Sequence, residues 1–390
     1  MSDIIIVGSG YAGSVMAERF ANDLNKKVII IEKRDHIAGN MFDWIDENGV
    51  RVHKYGPHLN HTNSERVYEY LSDFTEWYPY EHKVLGLVQE QFVSIPFNLA
   101  GIEACFSEEK ATHLKNILIQ EYGMGTKVPI LKLREHSDKD IQELAEFIYE
   151  NVFLYYTMKQ WGLKPDEIDP NVTNRVPVNV SYDDRYFNDT YQCMPKEGYT
   201  PLFEKMLSHP NIEVRLNTEA NDVLKVSLED NKIYFEGKEF EGQVIYTGAI
   251  DTLFEYQLGE LEYRSLDFDL QSKEGTFQPV GTVNYPTPKE MHPYTRITEY
   301  KHMMEVQPKN TTIAVEYSLP YQRDAEKGNI PYYPVFTEEG QEKYNQYVAL
   351  ANQFKQLTLL GRLAEYRYYN MDAIVLRALE VYDQLKVNLK

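Results

Sequence analysis

The amino-acid sequence predicts a fold of the α/β class with several domains, α+β in its overall organisation. Three kinds of pattern, each in a different part of the chain, support this prediction. The chain has 390 residues, which suggests two or three domains at roughly 150 residues each. Apolar runs typical of buried strands open the chain, helical spacing dominates 99–161, and alternating segments lie between 211 and 317. We therefore expect a parallel-sheet domain, a helical insertion and an antiparallel β-sheet domain.

The composition excludes several classes of partner and site. Hydrophobic residues make up 43% of the chain and charged residues 26%, which is typical of a soluble globular protein. The 60 acidic residues outnumber the 40 basic ones and give a formal net charge of −20, so no nucleic acid partner is expected. An anionic ligand would need arginine or lysine side chains close to it. Cys105 and Cys193 have no CxxC spacing, which excludes a disulfide framework and a thiolate metal site.

The N-terminus lacks the features of a secretion signal. Its Met-Ser-Asp opening enters an apolar run by Ile4 without a basic segment or a cleavage site. An apolar stretch of about 18 residues, the length that a membrane span needs, is also absent from the sequence. We expect a cytoplasmic protein with no membrane span.

The first thirty-two residues have the pattern of a βαβ unit. The turn between its first strand and its helix carries three glycines, Gly8, Gly10 and Gly13. They would allow a tight turn, close approach of a pyrophosphate to backbone N–H groups, and close packing of helix on strand. Glu32, at the end of the second strand, would accept hydrogen bonds from a ribose hydroxyl. The pattern predicts a Rossmann-like domain that binds an adenine dinucleotide.

Three later segments favour FAD over NAD. In FAD-binding proteins of the glutathione reductase type, the loop after the second strand approaches the cofactor again, and 33–40 is such a loop. The turn 247–251 follows another predicted strand, and 361–366 precedes a helix that starts near Asp372. The candidate cofactor contacts in these segments are Lys33, Gly39, Asn40, Gly248, Arg362, Met371 and Asp372.

Motifs of other chemistries are missing from the sequence. It contains no Gly-x-Ser-x-Gly elbow, His-Glu-x-x-His pair or EF-hand loop, which leaves hydrolase and metal sites without support. His58 and His61 stand in one short loop without further metal ligands nearby. We expect them to border a cofactor pocket, the alternative being loop histidines held by hydrogen bonds.

Beyond these motifs, the sequence resembles the flavin-dependent UDP-galactopyranose mutases of bacteria. The resemblance extends over the whole chain and keeps the order of the family's motifs. They are the glycine turn, 55–62, 159–161, 175–178, 182–187, 194–200, 294–297, 331–334 and 361–363.

The resemblance implies an isomerase that interconverts UDP-galactopyranose and UDP-galactofuranose with no net redox change. In that family FAD must be reduced, and its N5 attacks the anomeric carbon of galactose and expels UDP. It therefore implies a UDP-sugar substrate, an external reductant such as NAD(P)H or a flavin reductase, and a homodimer. The product would serve cell-surface polysaccharide biosynthesis.

The resemblance also assigns roles to single residues. It implies that Arg175 and Arg296 hold the diphosphate and that His58 lies beside the flavin. Further substrate contacts would be Trp161, Tyr182, Tyr186, Phe187, Tyr332, Tyr333, Tyr368 and Asn370, with the choice between Tyr332 and Tyr333 open. His61 and Val223 would join the cofactor contacts.

Four positions depart from the family's usual residues. Asn60 stands in place of Phe, Asn179 in place of Arg, Cys193 in place of Gly, and Asn370 in place of Asp. These changes suggest a divergent member. UDP-N-acetylgalactosamine or another UDP-pyranose is therefore an alternative substrate.

We expect three domains, the first of them discontinuous. The FAD-binding domain would combine 1–80, 190–270 and 345–390, the helical insertion would span 98–161, and the antiparallel sheet would combine 81–97, 162–189 and 271–344. The substrate would bind to the sheet domain. The loop 166–178, which contains Arg175, would close over the site and exclude water.

Two other functions share the predicted fold. A conventional FAD-dependent oxidoreductase of the amine oxidase type would carry out net redox chemistry in a mainly apolar pocket. A catalytically silent protein could keep FAD as a structural element. The arginines and tyrosines predicted around an anion favour the mutase over both.

Overall fold

A computed structural model of the chain describes residues 3–162 and 177–389. Its strands, numbered in chain order, are β1 Ile4–Val7, β2 Val28–Ile31, β3 Asp43–Ile45, β4 Arg51–His53, β5 Asn60–Thr62, β6 Trp77–Pro79, β7 Val84–Val88, β8 Gln91–Ile95, β9 Lys127–Pro129, β10 Pro177–Asn179, β11 Tyr191–Pro195, β12 Ile212–Arg215, β13 Leu224–Ser227, β14 Lys232–Phe235, β15 Lys238–Glu239, β16 Gln243–Tyr246, β17 Tyr263–Lys273, β18 Thr282–Asn284, β19 Arg296–Glu299, β20 Thr311–Pro320, β21 Tyr333–Pro334 and β22 Leu357–Leu359.

Helices lie between these strands. The α-helices are Tyr11–Leu24, Glu65–Ser72, Leu99–Cys105, Glu108–Tyr122, Ile130–Arg134, Lys139–Ile148, Tyr155–Trp161, Tyr199–Met206, Ala220–Val223, Ile250–Leu253, Glu338–Ala351 and Met371–Leu389. Short 3₁₀ turns lie at Gly39–Met41 and Tyr300–Met303, and a π-helical segment spans Tyr149–Leu154. In the described part of the chain, no helix is both long enough and apolar enough to cross a membrane.

The N-terminal βαβ unit belongs to a parallel five-stranded sheet with the order β12-β2-β1-β16-β22. Both faces of β1 are covered, because Ile4 and Ile6 pack into one apolar core and Ile5 and Val7 into another. A strand buried on both faces needs a continuous apolar run, which is what the sequence shows. The predicted α/β architecture and Rossmann-like unit are confirmed.

A seven-stranded sheet, ordered β21-β17-β20-β19-β18-β7-β8, forms the second large layer. Its pairs are antiparallel except for β18 with β7, which run parallel. The domain boundary expected between 270 and 271 falls inside β17 and is wrong. The ladder with β20 runs unbroken from Arg264 to Lys273, so the sheet begins at Tyr263.

The helical spacing over 99–161 corresponds to five α-helices and the π-helical segment. The first four of these helices pack around an apolar core that also includes Val88 and Val93 of β7 and β8. β10 belongs to this helical region and not to the sheet domain, to which our prediction assigns 162–189. Val178 of β10 and Val180, which follows it, are part of the same apolar core, and β10 pairs with β9. Residues 163–176, with Arg175 and most of the expected loop 166–178, lie outside the described residues.

Candidate active site

Two adjoining cavities lie where the parallel sheet meets the seven-stranded sheet. The glycine-side cavity, about 220 Å³, is bordered by Gly10, Arg34 and Thr247. The sheet-side cavity, about 350 Å³, is bordered by Thr282 and Arg296 of the seven-stranded sheet. Both are lined by Asn40, His58, Tyr332, Arg362, Asn370 and Met371. Because they share these walls, the two cavities are adjacent, and the six shared residues lie between them.

The glycine turn shapes the glycine-side cavity by close packing. A Cβ on Gly13 would clash with the carbonyl oxygen of Gly8, whose φ is +97°. Gly10 faces the cavity, and a Cβ on Gly39 would lie 2.9 Å from the Gly10 Cα. Gly8 and Gly13 therefore act through the backbone path, while Gly10 leaves its N–H open to a ligand.

Glu32 is buried and held by the glycine turn. Its Oε2 accepts hydrogen bonds from the N–H and the hydroxyl of Ser9, at 3.0 and 2.7 Å, and its Oε1 accepts from the Arg34 N–H at 3.0 Å. The carboxylate thus ties the end of β2 to the turn after β1. Remaining lone pairs can still accept a hydrogen bond, although Glu32, like Gly8, Gly13 and Gly39, does not itself line either cavity.

Arg34 supplies positive charge to the glycine-side cavity. Its Nη2 donates to Asn40 Oδ1 at 2.9 Å, and its guanidinium lies 4.1 Å from the centre of the Tyr55 ring. Nη1 is buried and finds no hydrogen-bond partner within residues 3–162 and 177–389. A buried guanidinium with an unused donor fits the pyrophosphate of a dinucleotide, so the residues present fit FAD.

His58 lies at the junction of the two cavities. Burial, and after it the neighbouring His53 and Arg362, lower the pKa of His58 to about 3, so the ring is neutral at neutral pH. The His58 N–H donates to His53 Nδ1 at 3.0 Å, which fixes the loop. His58 Nδ1 is buried and lacks a partner among the described residues, and a neutral imidazole there can donate or accept.

His61 lines the sheet-side cavity and not the glycine-side cavity in which a cofactor contact was expected. Its ring stacks on Phe187 at 3.6 Å between centroids, and Nδ1 lies 3.0 Å from Asp189 Oδ2. The stacked pair gives this cavity a flat aromatic wall, which suits a nucleobase.

Arg296 provides a fixed positive charge in the sheet-side cavity. Its Nε donates to the buried Glu316 Oε2 at 2.7 Å. Although burial opposes the charged form, the Glu316 carboxylate raises the pKa of Arg296, so the guanidinium stays charged. Arg296 therefore keeps its charge and its orientation in a buried site.

Tyrosine rings and a second arginine complete the anionic-ligand wall. Arg362 lies 5.1 and 5.3 Å from the ring centres of Tyr333 and Tyr368, which stack on each other. Tyr186 lines the same cavity, and Tyr332 lies at the junction of the two cavities. Together with Arg296, these groups offer hydroxyl and guanidinium donors for a diphosphate.

Several residues expected in the site lie away from both cavities. The Tyr182 side chain is exposed and donates to Glu103 Oε1 at 2.6 Å, which corrects its assignment. Val223 packs beneath the other face of the parallel sheet and is likewise corrected. Trp161 ends its helix, Gly248 packs near the Tyr246 ring, and Asp372 accepts from the Thr62 hydroxyl at 2.9 Å. These three also do not line either cavity.

The structure adds residues that the sequence did not single out. They are Arg34, His82, Tyr156, Thr282, Asn284 and Glu316. Arg34 follows Lys33, which is a predicted cofactor contact, and Tyr156 lies one helical turn before the 159–161 motif. The sequence therefore provides weak evidence for both residues. Thr282 and Asn284 reach the site because β18 pairs with β19, and no local sequence pattern reveals that pairing.

Comparisons with known proteins agree over nearly the full length. The sequence model of a family described as UDP-galactopyranose mutase matches residues 151–368, and that of an NAD(P)-binding Rossmann-like domain matches 6–74. The chain is 35% identical to a dTDP-fucopyranose mutase of Escherichia coli, with 97% of each chain covered. It is 34% identical to a probable UDP-galactopyranose mutase of Klebsiella pneumoniae, covering 98% of this chain and 94% of that protein. A crystal structure of reduced UDP-galactopyranose mutase has the same fold, with a TM-score of 0.71 at 16% identity, covering 100% of this chain and 96% of that one.

Proposed function

The chain belongs to the UDP-galactopyranose mutase family, and we propose that it interconverts UDP-galactopyranose and UDP-galactofuranose with reduced FAD and no net redox change. The observation that carries the proposal is that the two cavities are adjacent and both border His58. A dinucleotide on one side and a sugar nucleotide on the other would meet at this point.

The glycine-side cavity would hold FAD. Gly10 and the unused Arg34 Nη1 would face its pyrophosphate, and the Glu32 carboxylate would face a ribose. Reduced flavin, when bound, supplies a nucleophilic nitrogen for the anomeric carbon of the sugar. The chain then needs no nucleophile of its own, and its task is to hold both reactants in position.

The sheet-side cavity would hold the nucleoside diphosphate. Arg296 and Arg362 carry fixed charges where the diphosphate gains negative charge as its bond to the sugar breaks. Keeping UDP bound between these groups lets the same diphosphate rejoin the sugar after the ring has closed in its new size. His61 and Phe187 would stack on the base.

His58 has a neutral ring beside the reacting sugar. Its unused Nδ1 can orient a flavin or sugar group by a hydrogen bond without adding a charge. Arg175 remains a proposed second ligand of the diphosphate, on a proposed loop that would close over the site. The three-domain organisation, a homodimer, a cytoplasmic location and reduction by NAD(P)H or a flavin reductase are part of the same proposal.

A second candidate rests on one relative. The Escherichia coli protein named dTDP-fucopyranose mutase is as similar to this chain as the proteins named UDP-galactopyranose mutase. A dTDP-6-deoxyhexose is therefore the alternative substrate to test, together with UDP-N-acetylgalactosamine.

The experiment is an isomerisation assay under reducing conditions. The purified flavoprotein is incubated with dithionite and UDP-galactofuranose, dTDP-fucofuranose or the furanose form of UDP-N-acetylgalactosamine, and the products are separated by HPLC. We expect conversion of UDP-galactofuranose to the pyranose only with the reductant. Faster conversion of the dTDP sugar would select the second candidate, and no conversion of any sugar by the reduced, FAD-loaded protein would refute the mutase function.

A further inference from the structure

The pocket-facing side of the seven-stranded sheet carries a polar residue without a role so far. β18 places Thr282 and Asn284 on this side, while the buried Val283 between them faces the other side, in register with Ile297 of β19. The register sets Thr282 opposite Val84 of β7 and Asn284 opposite Arg296 of β19. Thr282 is thus part of the floor of the sheet-side cavity.

The hydroxyl of Thr282 is unpaired within the part of the chain that the structure describes. The residue is 2% exposed, and its Oγ1 makes no hydrogen bond to any described residue. Val84 beside it offers only methyl groups, so it cannot satisfy the hydroxyl. Oδ1 of Asn284, two residues along the same strand, is likewise buried without a partner in the described chain. Buried hydroxyls are normally paired, because an unpaired one loses its hydrogen bonds to water and gains none.

We propose that Thr282 is a specificity-determining residue whose hydroxyl binds a hydroxyl of the hexose. The inference rests on the proposed function, since it assumes a sugar nucleotide in this cavity. Arg296, Arg362 and the tyrosines already provide donors for the diphosphate. A neutral hydroxyl next to a valine suits the uncharged part of the ligand, and it can both donate to and accept from a sugar hydroxyl.

The consequence is discrimination between sugars that differ by one hydroxyl. A site built to hydrogen-bond a hydroxyl rejects the analogue that lacks it, because its own polar group is then left unpaired. An N-acetyl or 6-deoxy sugar would bind as well as galactose only if the altered position is not the one that Thr282 contacts.

The test replaces the hydroxyl by a methyl group of nearly the same shape. Thr282→Val removes no hydrogen bond to residues 3–162 or 177–389, so the variant is expected to fold and bind FAD like the wild type. We expect its kcat/KM for UDP-galactofuranose to fall roughly ten- to a hundredfold. Thr282→Ser keeps the hydroxyl and is expected to stay within about threefold of the wild type. Thr298→Val is the matched control, because Thr298 lies directly opposite Thr282 but does not line the cavity.

The same variants are then compared on UDP-galactose analogues that lack one hydroxyl each, at carbon 2, 3 or 6. The inference concerns these three hydroxyls, which stay free in both ring forms, because the oxygen on carbon 4 closes the furanose ring and a 4-deoxy sugar cannot isomerise. The analogue that lacks the contacted hydroxyl is expected to react equally well with Thr282→Val and the wild type, while the others show the full loss. An unchanged rate of Thr282→Val on UDP-galactofuranose, or the same loss on all three analogues, would overturn the inference. In either case the wild type still converts UDP-galactofuranose, whereas failure of the proposed function would leave the wild type itself inactive.

Discussion

The two cavities differ in what a substitution at their edges would change. The glycine-side cavity borders a turn whose glycines lie too close to other backbone atoms for side chains, so a substitution there displaces the backbone. The sheet-side cavity is bordered by strands of the seven-stranded sheet, where replacing Thr282 or Asn284 would change a side chain and leave the strand pairing in place. We therefore expect the glycine turn to tolerate substitution less well than the strands do. A family with one cofactor and several sugar substrates would need this division.

The largest effect is expected from a methyl group in the glycine turn. Gly13→Ala places a Cβ against the Gly8 carbonyl, so the turn must distort and FAD binding should be lost together with thermal stability. Flavin absorbance of the purified protein and its Tm measure both. Gly10→Ala is the control, since its Cβ would approach protein atoms no closer than 3.9 Å. It should keep its Tm but bind FAD weakly, and a normal flavin content would contradict the role of Gly10.

The next effect is expected in the sheet-side cavity. Arg296→Ala should lower kcat/KM by roughly a thousandfold, because it removes a charge that stabilises the departing diphosphate. The flavin content should stay unchanged, as the residue does not line the glycine-side cavity. Glu316→Gln keeps the arginine and weakens only its orientation, so a loss of about tenfold is expected. Equal losses in the two variants would argue against a direct role of the charge.

Buried histidines should make the sheet-side region sensitive to acid. Burial lowers the pKa of His53, His58 and His82 to about 3, against about 6.5 in the unfolded chain. The unfolded state therefore binds more protons between these values, and the free energy of unfolding falls as pH decreases from about 6.5 towards 3. The slope is up to roughly 1.4 kcal/mol per pH unit for each histidine.

Chemical denaturation between pH 7 and 5 measures this dependence. His82→Gln should reduce the slope, and His302→Gln should not, because the hydrogen bond with Glu299 raises the pKa of His302. Stability that does not change over this range would show that the three rings take up protons in the folded protein.

A smaller effect is expected at the edge of the glycine-side cavity. Arg34→Met keeps the length of the side chain but removes the buried donor, so the Kd for FAD should rise about tenfold. Lys33→Met, at the exposed neighbouring position, should change it less than about threefold. Titration of the apoprotein with FAD measures the Kd of each variant. A larger rise in Kd for Lys33→Met than for Arg34→Met would favour Lys33 as the cofactor contact.

The glycine turn that borders the glycine-side cavity could be predicted from the sequence, because its glycines and Glu32 lie within one βαβ unit. Local spacing is enough to bring such residues together. Glu316, by contrast, reaches Arg296 only through the pairing of β19 with β20, and Thr282 enters the site through β18. These pairings depend on which strands are neighbours, and that is not encoded in any short segment.

The errors have the same origin. Tyr182 lies inside a family motif, but its ring points to Glu103 on the helical region and not into the site. The boundary at 270 cut a strand because composition does not change there, although the hydrogen-bond ladder continues to Lys273.

The parallel sheet has a consequence for how the protein is made. Its central strand β1 is synthesised first. Its partner β16 follows only at Gln243–Tyr246, and β22, which pairs with β16, and the packed helix Met371–Leu389 come from the last third of the chain. A ribosome must therefore finish nearly the whole polypeptide before this sheet can close. Until then the apolar faces of β1 and the helix Tyr11–Leu24 stay uncovered, so nascent chains would depend on chaperones and FAD could be captured only after release.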